Sequence, residues 1–384
     1  MNKIPPHIVF FTYHDFESHA ITGGTRRLLE LITGFTQKGC MVTIFCPKSK
    51  VIENIKAINH IELKYKRRSI FPLGVVNFII NYFNVKNFLR DFKYDSAVAV
   101  DVPYAIQMKL FGFRKVSFIV WQDFIGYRDI EMESLKFHKL RKYFISKVYS
   151  FIESTSLKYV RNINVQCEYD LNILLARHRR LAQHITNKTQ IIANNVNPTW
   201  IERQAVSEPE RQQNEKFVII FVGNISDKRK GLHILLDAFT NSPELMKRCI
   251  LRVVGGGALL SDLKEKYSDL KNIVFFGYQQ DPLNLLIESD LMVVPSIADS
   301  FPNTLLEALY FNVPVIGSLS GGIPEALFYQ ELLFSPDPTS LRDKMEELLN
   351  QDNYNKIASY CNERRSALYF DWVNEMLKFV TKNN

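Results

Sequence analysis

Arg229 and Lys230 stand side by side immediately before Gly231, at the start of a stretch in which Leu235, Leu236 and Phe239 recur at helical spacing. The apolar run FVIIFVG (217–223) before them suits a buried parallel strand that ends in Gly223. Two cations beside a helix N-terminus, where backbone N–H groups and the helix dipole already favour negative charge, suit a diphosphate. Arginine offers it paired contacts and lysine a point charge. The alternative for the same loop is a solvated basic turn.

A second constellation follows the apolar run LMVVPS (291–296), in DSFPNTLLEAL (299–309). Pro302 fits a first helical turn, which directs the N–H groups of Asn303, Thr304 and Leu305 to the carboxyl end of the strand, where open α/β sheets bind ligands. Glu307, one turn into that helix, can accept two hydrogen bonds from a ribose diol. The competing role for Glu307 is a surface position, yet Leu306 and Ala308 flank it. Asp299 and Glu307 do not suit a glycosidase pair. Eight residues of helix span about 12 Å, against the roughly 5–9.5 Å such carboxylates need. The glycine pair in SGGIPEAL (320–327), followed by a helix start at Pro324, allows close approach of backbone to a ligand. Another pair, Gly23-Gly24, precedes TRRLLEL. It lacks the Gly-x-Gly-x-x-Gly spacing of dinucleotide-binding enzymes, which removes support for redox chemistry but leaves a site for phosphates.

These residues need strands and helices to hold them. HIVFFTY, a helical stretch through Leu28, Leu29, Ile32 and Phe35, a C-terminal Gly39 and CMVTIFCP make a βαβ unit. SAVAV (96–100), KVSFIVW (115–121), INVQCEYDLNILLAR (163–177) and QIIANNV (190–196) continue the alternation, which predicts a parallel sheet covered by helices. ERQAVSEPERQQNEK (202–216) is polar and aperiodic. The pattern then restarts and runs through CILRVVGGG (249–257), NIVFFGY (272–278) and VPVIGS (313–318). The expected organisation is an α/β domain over 1–200, a linker over 201–216, a second α/β domain over 217–365 and a terminal helix over 366–384.

A chain of 384 residues with 46% hydrophobic and 23% charged residues can bury two cores. Its five scattered cysteines form no Cys-x-x-Cys pair and complete no zinc pattern, so they read as reduced packing residues and no metal is expected. The N-terminus shows no signal-peptide pattern, which predicts a cytoplasmic protein. SIFPLGVVNFIINYFNV, 17 uncharged residues long, reaches only the short limit of a membrane span. Asn77, Asn81 and Asn84 put a polar stripe along it, so a buried amphipathic helix is the preferred reading. The net charge of +8 concentrates in 64–93 and 136–161, interleaved with aromatics. Such segments suit an anionic membrane surface; the alternative is a solvated basic face. Nucleic acid binding has the charge in its favour and no motif.

Taken together, these residues resemble the retaining family 4 glycosyltransferases of the GT-B fold, most clearly over 217–330. The resemblance implies two Rossmann-like α/β domains facing each other across a cleft, with the terminal helix FDWVNEMLKFV crossing back to the first. Asp299 and Glu307 match the family's Glu-x7-Glu element, with Asp in the first place. It implies that Glu307 binds the donor ribose, Asp299 the transferred sugar, and Arg229 and Lys230 the diphosphate, with Gly223 at the strand end. Gly24 would meet the phosphates from the first domain, and Tyr278 would pack against the base. Gly223-Asn224 stands where the family often reads Gly-Arg, and Gln122 and Asp123 stand on the acceptor side where a histidine is common. The implied reaction is metal-independent sugar transfer from a nucleotide-sugar to a lipid-linked or surface-polysaccharide acceptor. A catalytically weak partner subunit and a nucleotide-sugar epimerase on the same fold are the alternatives.

Overall fold

The computed structural model of the chain describes residues 5–14, 16–17, 23–65, 75–100, 102–121, 139–202 and 216–382. They fall into two compact units, Met1–Ala193 with Trp372–Asn384, and Asn194–Asp371.

The first unit is a seven-stranded sheet of β1 (His7–Phe11), β2 (Met41–Cys46), β3 (Ile58–Glu62), β4 (Ser96–Val100), β5 (Val116–Val120), β6 (Asn162–Val165) and β7 (Thr189–Ile191). All pairings are parallel, in the order β3-β2-β1-β4-β5-β6-β7. The central strands are buried along their whole length, which is why they read as continuous apolar runs rather than alternating ones. Its helices are α1 (Gly23–Gln37), α2 (Lys50–Glu53), α3 (Val75–Asp91), α4 (Val102–Phe111), α5 (Lys139–Tyr159), α6 (Glu168–Arg177) and α7 (Ala182–Lys188). One continuous apolar core joins a face of the sheet to Val85 and Phe88 of α3, Met108 and Phe111 of α4, and Ile152 and Leu157 of α5.

The second unit is a parallel six-stranded sheet in the order β10-β9-β8-β11-β12-β13. Its strands are β8 (Phe217–Val222), β9 (Cys249–Val254), β10 (Ile273–Gly277), β11 (Leu291–Val294), β12 (Val315–Ser318) and β13 (Leu333–Phe334). Around it run α8 (Thr199–Glu202), α9 (Leu232–Thr240), α10 (Pro243–Arg248), α11 (Leu260–Lys266), α12 (Leu283–Ile287), α13 (Asn303–Tyr310), α14 (Ile323–Leu327), α15 (Pro338–Glu347) and α16 (Gln351–Ala367). The chain leaves the first unit at residue 193, before the expected limit at 200. The reason is local bonding: Asn194 Nδ2 donates to Phe301 O at 3.3 Å, Asn195 Nδ2 to Phe370 O at 3.0 Å, and the Val196 N–H to Leu368 O at 3.0 Å. Most of the expected linker, 203–215, lies outside the described residues.

The final helix, α17 (Trp372–Thr381), belongs to the first unit. The Ser96 hydroxyl donates to Val380 O at 2.8 Å and Asn162 Nδ2 to Phe379 O at 3.2 Å. Against α1, Val373 fills the space a side chain at Gly34 would need: a Cβ there would lie 2.5 Å from Val373 Cγ1. The Arg27 guanidinium stacks 5.0 Å from the Trp372 ring centroid while pairing with Glu30 at 3.0 Å.

Helix α3 differs from the buried amphipathic helix expected of it. Asn77 and Asn81 are turned inward, at 4% and 1% exposure, while Ile79 and Phe83 face out at 61% and 78%. The inward turn is held by hydrogen bonds. Asn81 Oδ1 accepts from the Lys64 N–H at 2.8 Å, and its Nδ2 donates to Lys64 O at 2.9 Å and Asn77 O at 2.7 Å. Asn84 Nδ2 donates to Glu62 O at 3.3 Å, so the asparagines tie α3 to the segment leaving β3. Asn81→Ala is expected to lower the unfolding free energy by about 2 kcal/mol in urea titrations, because buried backbone groups lose their partner. A loss within experimental scatter would mean that those bonds are replaced by water.

All five cysteines are free and buried. Burial pushes the thiols of Cys46, Cys249 and Cys361 up to about 12, as suits packing residues rather than nucleophiles. Among the described residues, no helix is long and apolar enough to cross a membrane. Nor does any group of three His, Cys, Asp or Glu side chains among them suit a metal ion.

Candidate active site

β8 and β11 are neighbours, although two strands, β9 and β10, separate them in the chain. Strand order reverses there, and the loops leaving their carboxyl ends part to leave room for a ligand. A small recess at this point is lined by Phe221, Lys230, Ser296, Asp299 and Thr304.

The β8 loop is built by short-range polar bonds. Asn224 Oδ1 accepts from the Ser226 N–H at 2.9 Å, and Asp227 Oδ1 from the Arg229 N–H at 3.1 Å. Asp227 also takes the Arg229 guanidinium through Nε at 3.0 Å and through Nη2. Residues 228–230 form a single 3-10 turn, ended by Gly231 in the left-handed region at φ 68°. Lys230 then reaches across to the β11 loop, where its Nζ lies 2.5 Å from Asp299 Oδ2. The backbones are joined too, since the Ile297 N–H donates to Arg229 O at 2.7 Å. Arg229 and Lys230 are thus each held beside a carboxylate of their own unit.

On the β11 side, Pro302 is not in the first helical turn but one residue before it, as N-cap with ψ 125°. Its carbonyl accepts from the Leu306 N–H at 3.4 Å, the first bond of α13. The N–H groups of Asn303, Thr304 and Leu305 precede that bond and point out of the helix end, as any first turn requires. Glu307 is 3% exposed, which removes the surface-residue reading.

The glycine pair of 320–322 has a different partner from the one expected. A Cβ on Gly321, at φ 62°, would lie 2.0 Å from Asp299 O, and the Gly322 N–H donates to that oxygen at 2.8 Å. The close approach it allows is to the Asp299 backbone, so the pair fixes that aspartate. Gly23 and Gly24 also depart from expectation: they form the first turn of α1, not the loop before it, and belong to the first unit. Gln122 and Asp123 lie outside the described residues. Tyr278, just after β10, is 45% exposed, with its Cβ 3.2 Å from where a Cβ on Gly256 would be.

The run Gly255-Gly256-Gly257, which the apolar pattern marks only as the end of a strand, supports the β8 loop. A Cβ on Gly255 would meet Gly223 O at 1.8 Å, and one on Gly257 would meet Ser226 Oγ at 2.4 Å. Three glycines at the carboxyl end of a parallel strand carried that signal in the sequence.

Residues 202–365 match the family model of glycosyl transferases group 1. An uncharacterised glycosyltransferase of Methanocaldococcus jannaschii is 26% identical over 288 residues, 71% of this chain and 66% of that protein. The chain therefore spans just under two thirds of that relative's length, and smaller shares of others such as the N-acetyl-α-D-glucosaminyl L-malate synthase of Bacillus anthracis, at 44%. Among solved structures, sucrose-phosphate synthase of Thermosynechococcus elongatus superposes with a TM-score of 0.73 at 16% identity, covering 97% of this chain and 98% of that one. The Anabaena protein HepE, in complex with UDP and glucose, gives 0.69 at 16% identity, with coverage of 97% and 98%. Two Rossmann-like units, matched over nearly their whole length by such structures, and a second unit matched by the family model make this a GT-B-fold protein related to the glycosyl transferases group 1.

Proposed function

We propose that the chain transfers a hexose-type sugar, with retention and without a metal, from a nucleoside diphosphate sugar to a lipid-linked or surface-polysaccharide acceptor. The observation that carries this reading is the meeting of Lys230 and Asp299 beside the first turn of α13, with the carboxylate of Glu307 buried one turn further on. An anionic leaving group there gains from the lysine, from Arg229 and from the N–H groups of Asn303, Thr304 and Leu305. UDP and glucose in the HepE complex agree with a donor of this class.

The bond from the sugar's anomeric carbon to the phosphate oxygen breaks while a bond to the acceptor oxygen forms on the same face. The acceptor proton goes to the departing phosphate oxygen, so no side chain need act as base. Lys230 and the helix N–H groups stabilise the charge that grows on the diphosphate. In this reading Asp299 holds the transferred sugar and Glu307 the ribose diol. The Tyr278 ring packs against the base, and Gly223 gives the phosphates room. Gln122 and Asp123 are assigned to the acceptor side.

Thermal shifts with UDP, GDP and ADP in the presence of EDTA test the donor site. One nucleotide is expected to raise the melting temperature despite the chelator. Glu307→Gln, which keeps the buried volume, is expected to weaken that nucleotide by about 1.5–3 kcal/mol in calorimetry, the worth of charge-assisted hydrogen bonds. Unchanged affinity in a folded Glu307→Gln protein would remove Glu307 from the ribose. No shift with any nucleotide would overturn the donor site.

A further inference from the structure

Helices α3, α4 and α5 lie side by side over one face of the first unit's sheet and share its apolar core. Their inner faces being spent on that core, their outer faces look the same way. Those outer faces are unusual. Phe83 is 78% exposed, Phe151 70%, Phe144 63%, Ile79 61% and Leu110 57%. In α3 one stripe of Val76, Ile79, Ile80 and Phe83 lies outside while Asn77 and Asn81 are inside. In α5, Phe144, Lys147 and Phe151 recur at i, i+3 and i+7, a single face of a helix. Exposing this many large apolar side chains on one layer of helices costs free energy unless something covers them.

The charges around it say what. Lys86, Lys109 and Lys147 each lie within cation–π distance of a tyrosine of the same layer, Tyr82 at 5.7 Å, Tyr159 at 5.9 Å and Tyr143 at 5.3 Å. Of the acidic side chains on these helices, Asp91 is paired with Arg90 at 2.7 Å, and Glu153 is buried against Arg177 and His178. The face is apolar at its crests and cationic between them. A second copy of the chain would set this cationic patch against itself, because a two-fold contact uses one patch on both subunits. Nucleic acid would leave Ile79 and Leu110 against phosphate with no gain. A bilayer satisfies both halves, with acyl chains for the protruding side chains and anionic headgroups for the lysines, whose stems can lie along apolar surface.

We propose that the outer face of α3, α4 and α5 docks the protein on an anionic lipid surface, with Ile79, Phe83, Leu110 and Phe151 entering the acyl boundary. The inference rests on this surface and not on the reaction proposed above.

Sedimentation with vesicles of phosphatidylcholine and phosphatidylglycerol, against phosphatidylcholine alone, tests it with the full chain and no sugar substrate. Binding to the anionic vesicles that weakens with salt is expected. Phe83→Glu/Phe151→Glu is expected to lower the partition coefficient by about tenfold or more, since two buried phenylalanines are exchanged for charges. Its melting temperature should not fall, as both side chains are already exposed. Phe83→Trp provides a second reading: its added emission should shift to the blue on anionic vesicles and be quenched by brominated acyl chains. No binding to either vesicle, equal binding by the double variant, or an unshifted Phe83→Trp emission would each overturn the proposal. So would light scattering that shows a dimer dissolved by the double variant, which would assign the face to a second copy. Loss of nucleotide binding or sugar transfer would leave vesicle binding as it is.

Discussion

Lys230→Ala is expected to slow sugar transfer by about 10²–10³-fold, the usual cost of removing one preorganised donor from a developing oxyanion. The side chain is 29% exposed and spans a loop rather than filling a core, so truncation costs little packing. What goes is a positive charge at the one place where strand ends, the first turn of α13 and Asp299 meet. The expected signature is a fall in turnover with a melting temperature close to that of the parent protein. Arg229→Ala provides the contrast. Its guanidinium is held by Asp227, which also caps the 3-10 turn, so this variant should lose some loop order as well as charge. Asp299→Asn separates the roles further. It removes the partner of Lys230 but keeps the lysine, so leaving-group stabilisation should survive while sugar placement suffers. Single-turnover rates of nucleotide release, with the melting temperature of each variant, give the answer. A folded Lys230→Ala protein that turns over at the parent rate would falsify the assignment.

The parts of the fold legible in the sequence are those where burial on both faces leaves nothing to balance. β1, β4, β5, β8, β9 and β11 are apolar runs bounded by turn residues, and helices such as α9 show their periodicity plainly. β3 and β13 were not legible. INHIE pairs on one side only, at the sheet edge, and carries half-exposed polar residues, so no apolar run marks it. β13 is two residues long. At the site, the cation pair and the buried glutamate could be read because their chemistry is written in side chains. The placement of Pro302 as N-cap could not, because φ near −62° suits both the cap and the first turn and only ψ tells them apart. Nor could the partner of Gly321, since a glycine announces a close approach without naming what approaches. In α3 the asparagine stripe was visible, but its direction was not. Periodicity reports that two faces differ; which one turns inward was settled by the hydrogen bonds that Lys64 offers Asn81.

Gly231 is where those two kinds of information meet, and its replacement is the second large effect expected. The residue sits at φ 68° and ψ 18° between the 3-10 turn and α9. It donates to Lys228 O at 3.1 Å and accepts from the Ile234 N–H at 2.9 Å. A Cβ here would lie 1.8 Å from Pro295 O and 2.6 Å from Pro295 C, backbone atoms that cannot rotate aside. Gly231→Ala must therefore push the β8 and β11 loops apart, and with them Lys230 from Asp299. Left-handed strain costs about 1–2 kcal/mol and a forced backbone shift about 1–3 more, so a loss of about 3 kcal/mol is expected. The nucleotide-induced thermal shift should vanish with it. Gly39→Ala is the control: at φ 83° it bears the same strain, but nothing lies within 4 Å of its Cβ. Its cost should be about 1 kcal/mol, with nucleotide binding intact. The difference between the two variants isolates the contact with Pro295. If both lose the same stability and both still bind nucleotide, the two loops are not locked to each other at Gly231, and the spacing of Lys230 and Asp299 must be maintained by the Arg229–Ile297 backbone bond instead.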